Sequence, residues 1–293
     1  AEFGLTEVQL SWIIAAAVLN GSMWRLPTGM ITDRIGGRKV MTILLLASAV
    51  PAYLVSKADS YAMLLVLAFL VGFAGNSFSA GIAWNSAWQP REHQGFALGV
   101  FGAGNVGASV TKFVGPPLIA GTTVGATYLG IFPGGWRFIP VLYAVLLVLM
   151  ALATWFLAPH KDRAPGQSMP LSHQLAPLKQ LRVWRFSLYY VAFFGAYVAL
   201  SAWLPTYYMD NFDVSLQKAA ILTATYIFPA SLLRPLGGWM SDKLGARRVM
   251  YFSLVLMLAA TALLMMPNGH LVIDHADGTH SEHLPYAIGL VPF

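Results

Sequence analysis

Long apolar runs separated by short polar turns dominate the chain. Runs at about 11–32, 40–56, 60–88, 95–121, 136–158, 185–208, 216–240 and 249–267 approach or pass the roughly 20 residues that cross about 30 Å of hydrocarbon as helix, and a further run begins at Leu284. The pattern predicts an all-α membrane protein of about eight spans and a stump. The opening AEFGLTEVQLSW has no initiator Met, no basic n-region and no cleavage site, so no signal peptide is expected and the chain reads as a piece of a longer protein, truncated at both ends.

Composition agrees with a bilayer: 57% of the residues are hydrophobic and 10% charged, against about 25% charged in average soluble domains. Cysteine is absent, which excludes disulfides and thiolate metal sites. The formal net charge of +6 would point to nucleic acid in a soluble protein, but here its placement matters more. Twelve of the 18 Lys and Arg residues fall in alternate loops (Arg34, Arg38, Lys39, Arg91, Lys161, Arg163, Lys179, Arg182, Arg185, Lys243, Arg247, Arg248), whereas only Lys57, Arg137 and Lys218 fall in the others. The positive-inside rule puts the first set in the cytoplasm. No nucleic-acid partner is expected.

One segment occurs twice. WRLPTGMITDRIGGRK and LRPLGGWMSDKLGARR align without a gap at an offset of 209, pairing Arg25 with Arg234, Gly29 with Gly238, Asp33 with Asp242, Arg34 with Lys243, Gly36 with Gly245, Arg38 with Arg247 and Lys39 with Arg248. Thr6 and Ser215 align as N-caps, and Thr6 has Gln9 in capping-box position. The spacing of the copies implies a repeat unit of six spans running in the same direction. The expected organisation is an N-terminal half at 1–158, a cytoplasmic linker at 159–184 rich in Pro, Lys and Arg, and a C-terminal half at 185–293.

The Gly29-x3-Asp33-Arg34-x-Gly36-Gly37-Arg38-Lys39 turn resembles the signature loop between helices 2 and 3 of the major facilitator superfamily, and its copy at Gly238 to Arg248 resembles the loop between helices 8 and 9. The resemblance implies a bundle of two six-helix halves, with this chain running from helix 2 to the start of helix 10. It implies a gating latch for Gly29, Asp33, Arg34, Arg38, Gly238, Asp242, Lys243 and Arg247, not a substrate contact.

Arg25 lies eight residues before Asp33, about 12 Å deeper along the helix, and Arg234 lies at the same depth in the other copy. A charge there costs a few kcal/mol or more and usually finds a carboxylate. All 12 Asp and Glu residues fall in loops or at helix ends, so the expected partner is an anion that comes and goes, against the alternative of arginines satisfied by carbonyls or by a carboxylate in helices beyond this chain. A guanidinium offers a planar fork matched to an oxyanion edge, which favours a small flat ion. Tyr190, Phe193, Phe194, Tyr197, Trp84 and Trp88 are candidates to close over its faces. Tyr190 and Phe194, four apart on one helix face, are the preferred pair.

The run GFALGVFGAGNVGASVTKFVGPP carries Gly95, Gly99, Gly102, Gly104 and Gly107, denser than a helix tolerates without reason. Small residues let helix backbones approach closely, and Asn105 can bond across the contact or to a ligand. With the two arginines, Gly102-x-Gly104-Asn105-x-Gly107 resembles the nitrate signature of the nitrate/nitrite porter family. That resemblance implies that Arg25 and Arg234 hold the anion, with Gly104, Asn105, Tyr190 and Phe194 lining the site. The wording around Lys112 resembles the proton-coupled importer branch. A third positive charge in this neighbourhood makes Lys112 a candidate for proton coupling, against the alternative of a lysine that holds the anion without titrating or is paired between helices.

The expected function is secondary active transport of nitrate, with nitrite second, across the bacterial inner membrane by alternating access, as nitrate/proton symport. Nitrate/nitrite antiport, exchange of another small or organic anion, and a non-transporting sensor follow in that order. Pro27, Pro229 and Pro235 can kink the arginine helices. No cluster of nucleophile, base and orienting residue appears, so no enzyme is expected, nor a cofactor. His270, His275, His280 and His283, with Asp274 and Asp277, follow no metal-site spacing, so this loop reads as a solvated connection without metal. The partners expected are a small inorganic anion, protons and the lipid bilayer, with the chain a monomer.

Overall fold

The computed structural model describes residues 3–212, 214–264, 271–274 and 280–283. Helices form at every predicted span: α1 (Glu7–Met23), α2 (Arg25–Ile35), α3 (Gly37–Val55), α4 (Tyr61–Val71), α5 (Ser77–Trp88), α6 (Gln94–Ala103), α7 (Val106–Ala120), α8 (Phe138–Leu157), α9 (Leu171–Leu175), α10 (Leu181–Phe212), α11 (Leu216–Leu232), α12 (Arg234–Leu244) and α13 (Ala246–Leu264). Among the described residues, five stretches are long and apolar enough to cross a membrane: Gly37–Val55, Tyr61–Trp88, Gly135–Leu157, Leu181–Asp210 and Leu216–Leu244. The run predicted from Leu284 lies outside the described residues, as do His270, His275 and Asp277. The backbones of Leu271–Asp274 and His280–His283 pair as an antiparallel hairpin.

Four of the predicted spans are interrupted. The first breaks at Trp24 and the seventh at Leu233, equivalent positions in the repeat, each one residue before the arginine. Proline supplies the physical cause. Pro27 has no N–H for the carbonyl of Met23, and Pro235 has none for that of Ser231. The fourth span breaks at Gly104 and Asn105, where the N–H groups of Gly104, Asn105, Gly107 and Ala108 bond three residues back instead of four. A 3₁₀ turn at Gly72–Asn76 interrupts the third. The predicted caps form, with Thr6 and Gln9 making the capping box and Ser215 accepting from the Lys218 N–H. In both charged turns the glycine between helices has a φ that side chains disfavour, +90° at Gly36 and +88° at Gly245.

The packing resolves two compact units, one of Ala1–Pro90 with Val114–Ala192, the other of Arg91–Phe113 with Phe193–Phe293. In the first, α3 packs on α8, α1 on α4, and α2 on α5. Val40, Leu44 and Ala80 are its buried apolar cluster. The NH2 groups of its buried amides bond to backbone: that of Asn20 donates to the Phe69 carbonyl at 2.6 Å and that of Asn76 to the Phe73 carbonyl at 3.0 Å.

In the second unit α6 lies against α12. The backbones meet: a Cβ at Gly238 would collide with the Gly95 carbonyl, and one at Gly99 with that of Arg234. Gly95, Gly99 and Gly102 therefore serve this approach, whereas Gly107 has open space around it. Leu204, Tyr208, Ala219, Tyr226 and Ile227 form the unit's buried cluster. Gly99→Val is expected to destabilise the protein by about 1–3 kcal/mol through overpacking. Gly107→Ala is expected to leave it unchanged or to stabilise it by up to about 1 kcal/mol through helix propensity. Thermal unfolding in detergent checks both.

Candidate functional site

Each arginine is the first residue of the helix that follows its break, and each is half-buried. In the first unit Arg25 Nε donates to the Gly21 carbonyl at 3.0 Å and Nη1 to the Tyr190 hydroxyl at 3.4 Å. Its guanidinium carbon lies 5.7 Å from the centre of the Phe78 ring. Phe78 stacks on Tyr190 with centroids 6.4 Å apart. The Ser79 hydroxyl donates to the Arg25 carbonyl at 2.6 Å. Arg25, Leu26, Phe78, Ser79, Ile82 and Tyr190 line a cavity of about 350 Å³ that contains no acid. Of the expected pair, Tyr190 lies beside Arg25 in this unit, whereas Phe194 belongs to the second unit. Phe78 and Ser79 were not singled out from the sequence, although Phe78 precedes Ser79 by one residue in a run where only contact with Arg25 distinguishes it.

In the second unit Arg234 Nη1 donates to the Gly102 carbonyl at 3.2 Å. With the Asn105 amide turned oxygen-inward, as its surroundings require, Oδ1 accepts from Nη1 at 2.6 Å and from Nη2 at 2.9 Å. The guanidinium carbon lies 5.7 Å from the Phe194 ring centre and 5.3 Å from that of Tyr197. The two rings stack at 5.8 Å, and the Tyr197 hydroxyl shares a hydrogen bond with the buried Ser231 hydroxyl at 3.3 Å. Asn105 is thus a partner of the arginine. Gly104, beside it, forms the tight turn that interrupts the helix. Lys112 Nζ donates to the Ser201 carbonyl at 3.2 Å.

Both arginines follow one plan. A main-chain carbonyl and a neutral side chain take hydrogen bonds, and aromatic faces take the flat sides, a favourable arrangement for a guanidinium. Among the described residues no carboxylate is paired with either. The charges keep their full attraction for an anion in surroundings of low dielectric.

The charged turns are held in different ways. The Asp242 carboxylate accepts from the Gly95 N–H at 2.9 Å and the Phe96 N–H at 2.8 Å, capping the start of α6. Among the described residues no such donors reach Asp33, and burial pushes its carboxyl above the usual range. Gly29 lies against the Ser79 hydroxyl, as Gly238 lies against Gly95. Arg34 donates to the Met169 carbonyl, Arg38 donates to the Trp155 carbonyl from Nε at 2.8 Å, and the Gly166 N–H donates to the Asp33 carbonyl at 2.9 Å. Lys243 and Arg247 are exposed in the second turn.

Asp162 ties this face together. Its carboxylate accepts from the Arg38 N–H at 2.8 Å, the Trp84 indole at 2.9 Å and the Trp88 indole at 3.1 Å. The expectation that Trp84 and Trp88 close over an anion is therefore corrected: their polar edges are committed to Asp162. The sequence could not show this, because the acid lies more than 70 residues away in a polar loop.

These features define a multi-pass helical membrane protein built on a duplicated segment, with a charged turn at one end of each copy and an arginine inside each. The chain belongs to the Major Facilitator Superfamily, whose profile matches residues 1–273. It is 62% identical over 292 residues to the "Probable nitrate/nitrite antiporter NarK1" of Thermus thermophilus, an alignment covering 100% of this chain and 66% of that protein. It is 33% identical to the "Probable nitrate/nitrite transporter NarK2" of Mycobacterium tuberculosis, over 90% of this chain and 64% of that one. Against the "Nitrite extrusion protein" of Bacillus subtilis the identity is 29%, over 85% and 60%. The chain thus spans slightly under two thirds of the length of these relatives.

Asp162→Ala would leave two indole N–H groups and a helix N-terminus without their acceptor. It is expected to cost about 2–4 kcal/mol, since an unsatisfied buried donor costs roughly 1–3 kcal/mol. Tryptophan fluorescence followed through thermal unfolding reads both the loss and the altered environment of Trp84 and Trp88.

Proposed function

We propose that the complete protein carries nitrate, with nitrite as a second substrate, across the bacterial inner membrane by alternating access. The observation that carries this reading is the paired arginine plan: two guanidinium groups at equivalent positions of a repeat, each held by neutral partners against aromatic rings. Planar forks and flat ring faces suit a small trigonal oxyanion. The names of the relatives supply the same substrate class. Arg25 and Arg234 are the primary anion ligands in this reading. Tyr190 and Phe194 border the anion, and Asn105 with Gly104 sets the fork of Arg234. Gly29, Asp33, Arg34, Arg38, Gly238, Asp242, Lys243 and Arg247 form the gating turns.

The halves 1–158 and 185–293, joined by the linker at 159–184, rock about the anion in this proposal, and the protein works as a monomer. Net import is proton-coupled, with Lys112 the residue whose charge changes. Nitrate/nitrite exchange is the second reading. It is favoured by the position of the acids, all in loops or near helix ends, and by the printed name of the Thermus thermophilus relative.

Proteoliposomes holding the complete protein separate the two. Nitrate uptake driven by an inward proton gradient into empty vesicles supports symport, uptake only into nitrite-loaded vesicles supports exchange, and uptake in neither overturns the nitrate reading. Arg25→Lys and Arg234→Lys are each expected to weaken nitrate binding about tenfold or more, equivalent to about 1.4 kcal/mol, because an ammonium cannot reproduce the fork. Binding of labelled nitrate to the detergent-solubilised protein measures this without transport.

A further inference from the structure

Lys112 and Pro205 bear on the same atom. Pro205 stands inside α10 and has no N–H, so the carbonyl of Ser201, four residues earlier, lacks the i→i−4 donor of a regular helix, and the proline ring crowds it. An orphaned carbonyl within the membrane is costly. Lys112 Nζ donates to this very oxygen at 3.2 Å, while the Ser201 hydroxyl turns away to the Val198 carbonyl at 2.8 Å. Lys112, Ser201 and Pro205 are all half-buried. The lysine, whose three N–H donors have no neutral alternative in hydrocarbon, and the carbonyl, which has lost its donor, satisfy each other.

The two elements joined in this way are those that hold Arg234. Lys112 stands on α7, which follows directly from the turn at Gly104 and Asn105, and that turn with the end of α6 presents Asn105 and Gly102 to the guanidinium. The helix bearing Ser201 presents Phe194 and Tyr197. We propose that Pro205 creates, at the Ser201 carbonyl, a seat for the Lys112 ammonium, and that this seat positions the two helices around Arg234. Lys112 is then a positioning residue for the anion site, in addition to any part it takes in proton movement. Its influence reaches nitrate through the Arg234 cradle. This second step rests on the nitrate reading; the seat itself does not.

A double-mutant cycle on the complete protein tests both. Pro205→Ala restores an N–H to the helix and straightens it, so the Ser201 carbonyl returns to its backbone partner and the lysine loses its seat. In the otherwise unmodified protein Pro205→Ala is expected to lower the melting temperature in detergent by several degrees. In a Lys112→Met background the same change is expected to raise it, because the carbonyl then gains a partner and no cation is displaced. An equal effect of Pro205→Ala in both backgrounds overturns the seat.

The effect on the site is read as the half-saturating concentration of nitrate, in proton-driven uptake and in exchange against internal nitrite. Pro205→Ala and Lys112→Met are each expected to raise it at least fivefold in whichever mode the protein runs, and the double variant no further. Unchanged half-saturation for Pro205→Ala, with a reversed melting effect, overturns the link to Arg234 while keeping the seat. No nitrate uptake by the unmodified protein overturns the nitrate reading instead, and the melting cycle still decides the seat.

Discussion

A guanidinium inside a membrane must be paid for by its surroundings, and the rest of the arrangement follows from the way this is done. A carboxylate partner would satisfy the charge and neutralise it. Carbonyl oxygens, a carboxamide, a phenol and ring faces satisfy the hydrogen-bonding geometry and leave the charge in place. The pocket is then stable enough to exist and still electrostatically open to an anion. Low dielectric strengthens that attraction as it strengthens every unshielded charge.

Local structure serves this end. The helix breaks at Trp24 and Leu233 put each arginine at the first position of a new helix, where the positive end of the dipole adds to the same field. The tight turn at Gly104 and Asn105 does the complementary work, freeing the Gly102 carbonyl and the Asn105 amide to receive Arg234. Close packing follows from Gly95 and Gly99 against α12, since the carbonyl of Gly102 can reach the guanidinium only if the backbones approach. Asp242 then fixes the start of α6 at the other end of the same contact.

Much of this was legible in the chain. The repeat at an offset of 209 identifies both arginines, both charged turns and both N-caps, because these depend on residues adjacent in sequence. The helix breaks were not legible as breaks: the apolar pattern continues through a one-residue interruption, and the prolines announced a kink without locating it. Phe78 and Ser79 were missed because their role exists only through the proximity of α5 to α2. Trp84 and Trp88 were misplaced for the converse reason. A tryptophan among apolar residues resembles a ring face for a ligand, and nothing nearby in sequence points to Asp162. The partner of Lys112 was also hidden, since a carbonyl made available by a proline has no letter of its own.

The charges constrain how such a carrier can cycle. Arg25, Arg234 and Lys112 bring three positive charges, and among the described residues no carboxylate is paired with any of them. In the proposed nitrate cycle the anion neutralises only one. An empty carrier must therefore move its cations through a closed state without compensation, and this favours a cycle in which one anion replaces another. Net import asks for a change in protein charge between the loaded and empty passages. The arginines cannot supply it, because a guanidinium keeps its proton. Lysine can. A lysine bound to a carbonyl by its ammonium has a position when charged and no reason to hold that position when neutral, so a single proton can alter both the charge of the site and the packing of the helices that form it.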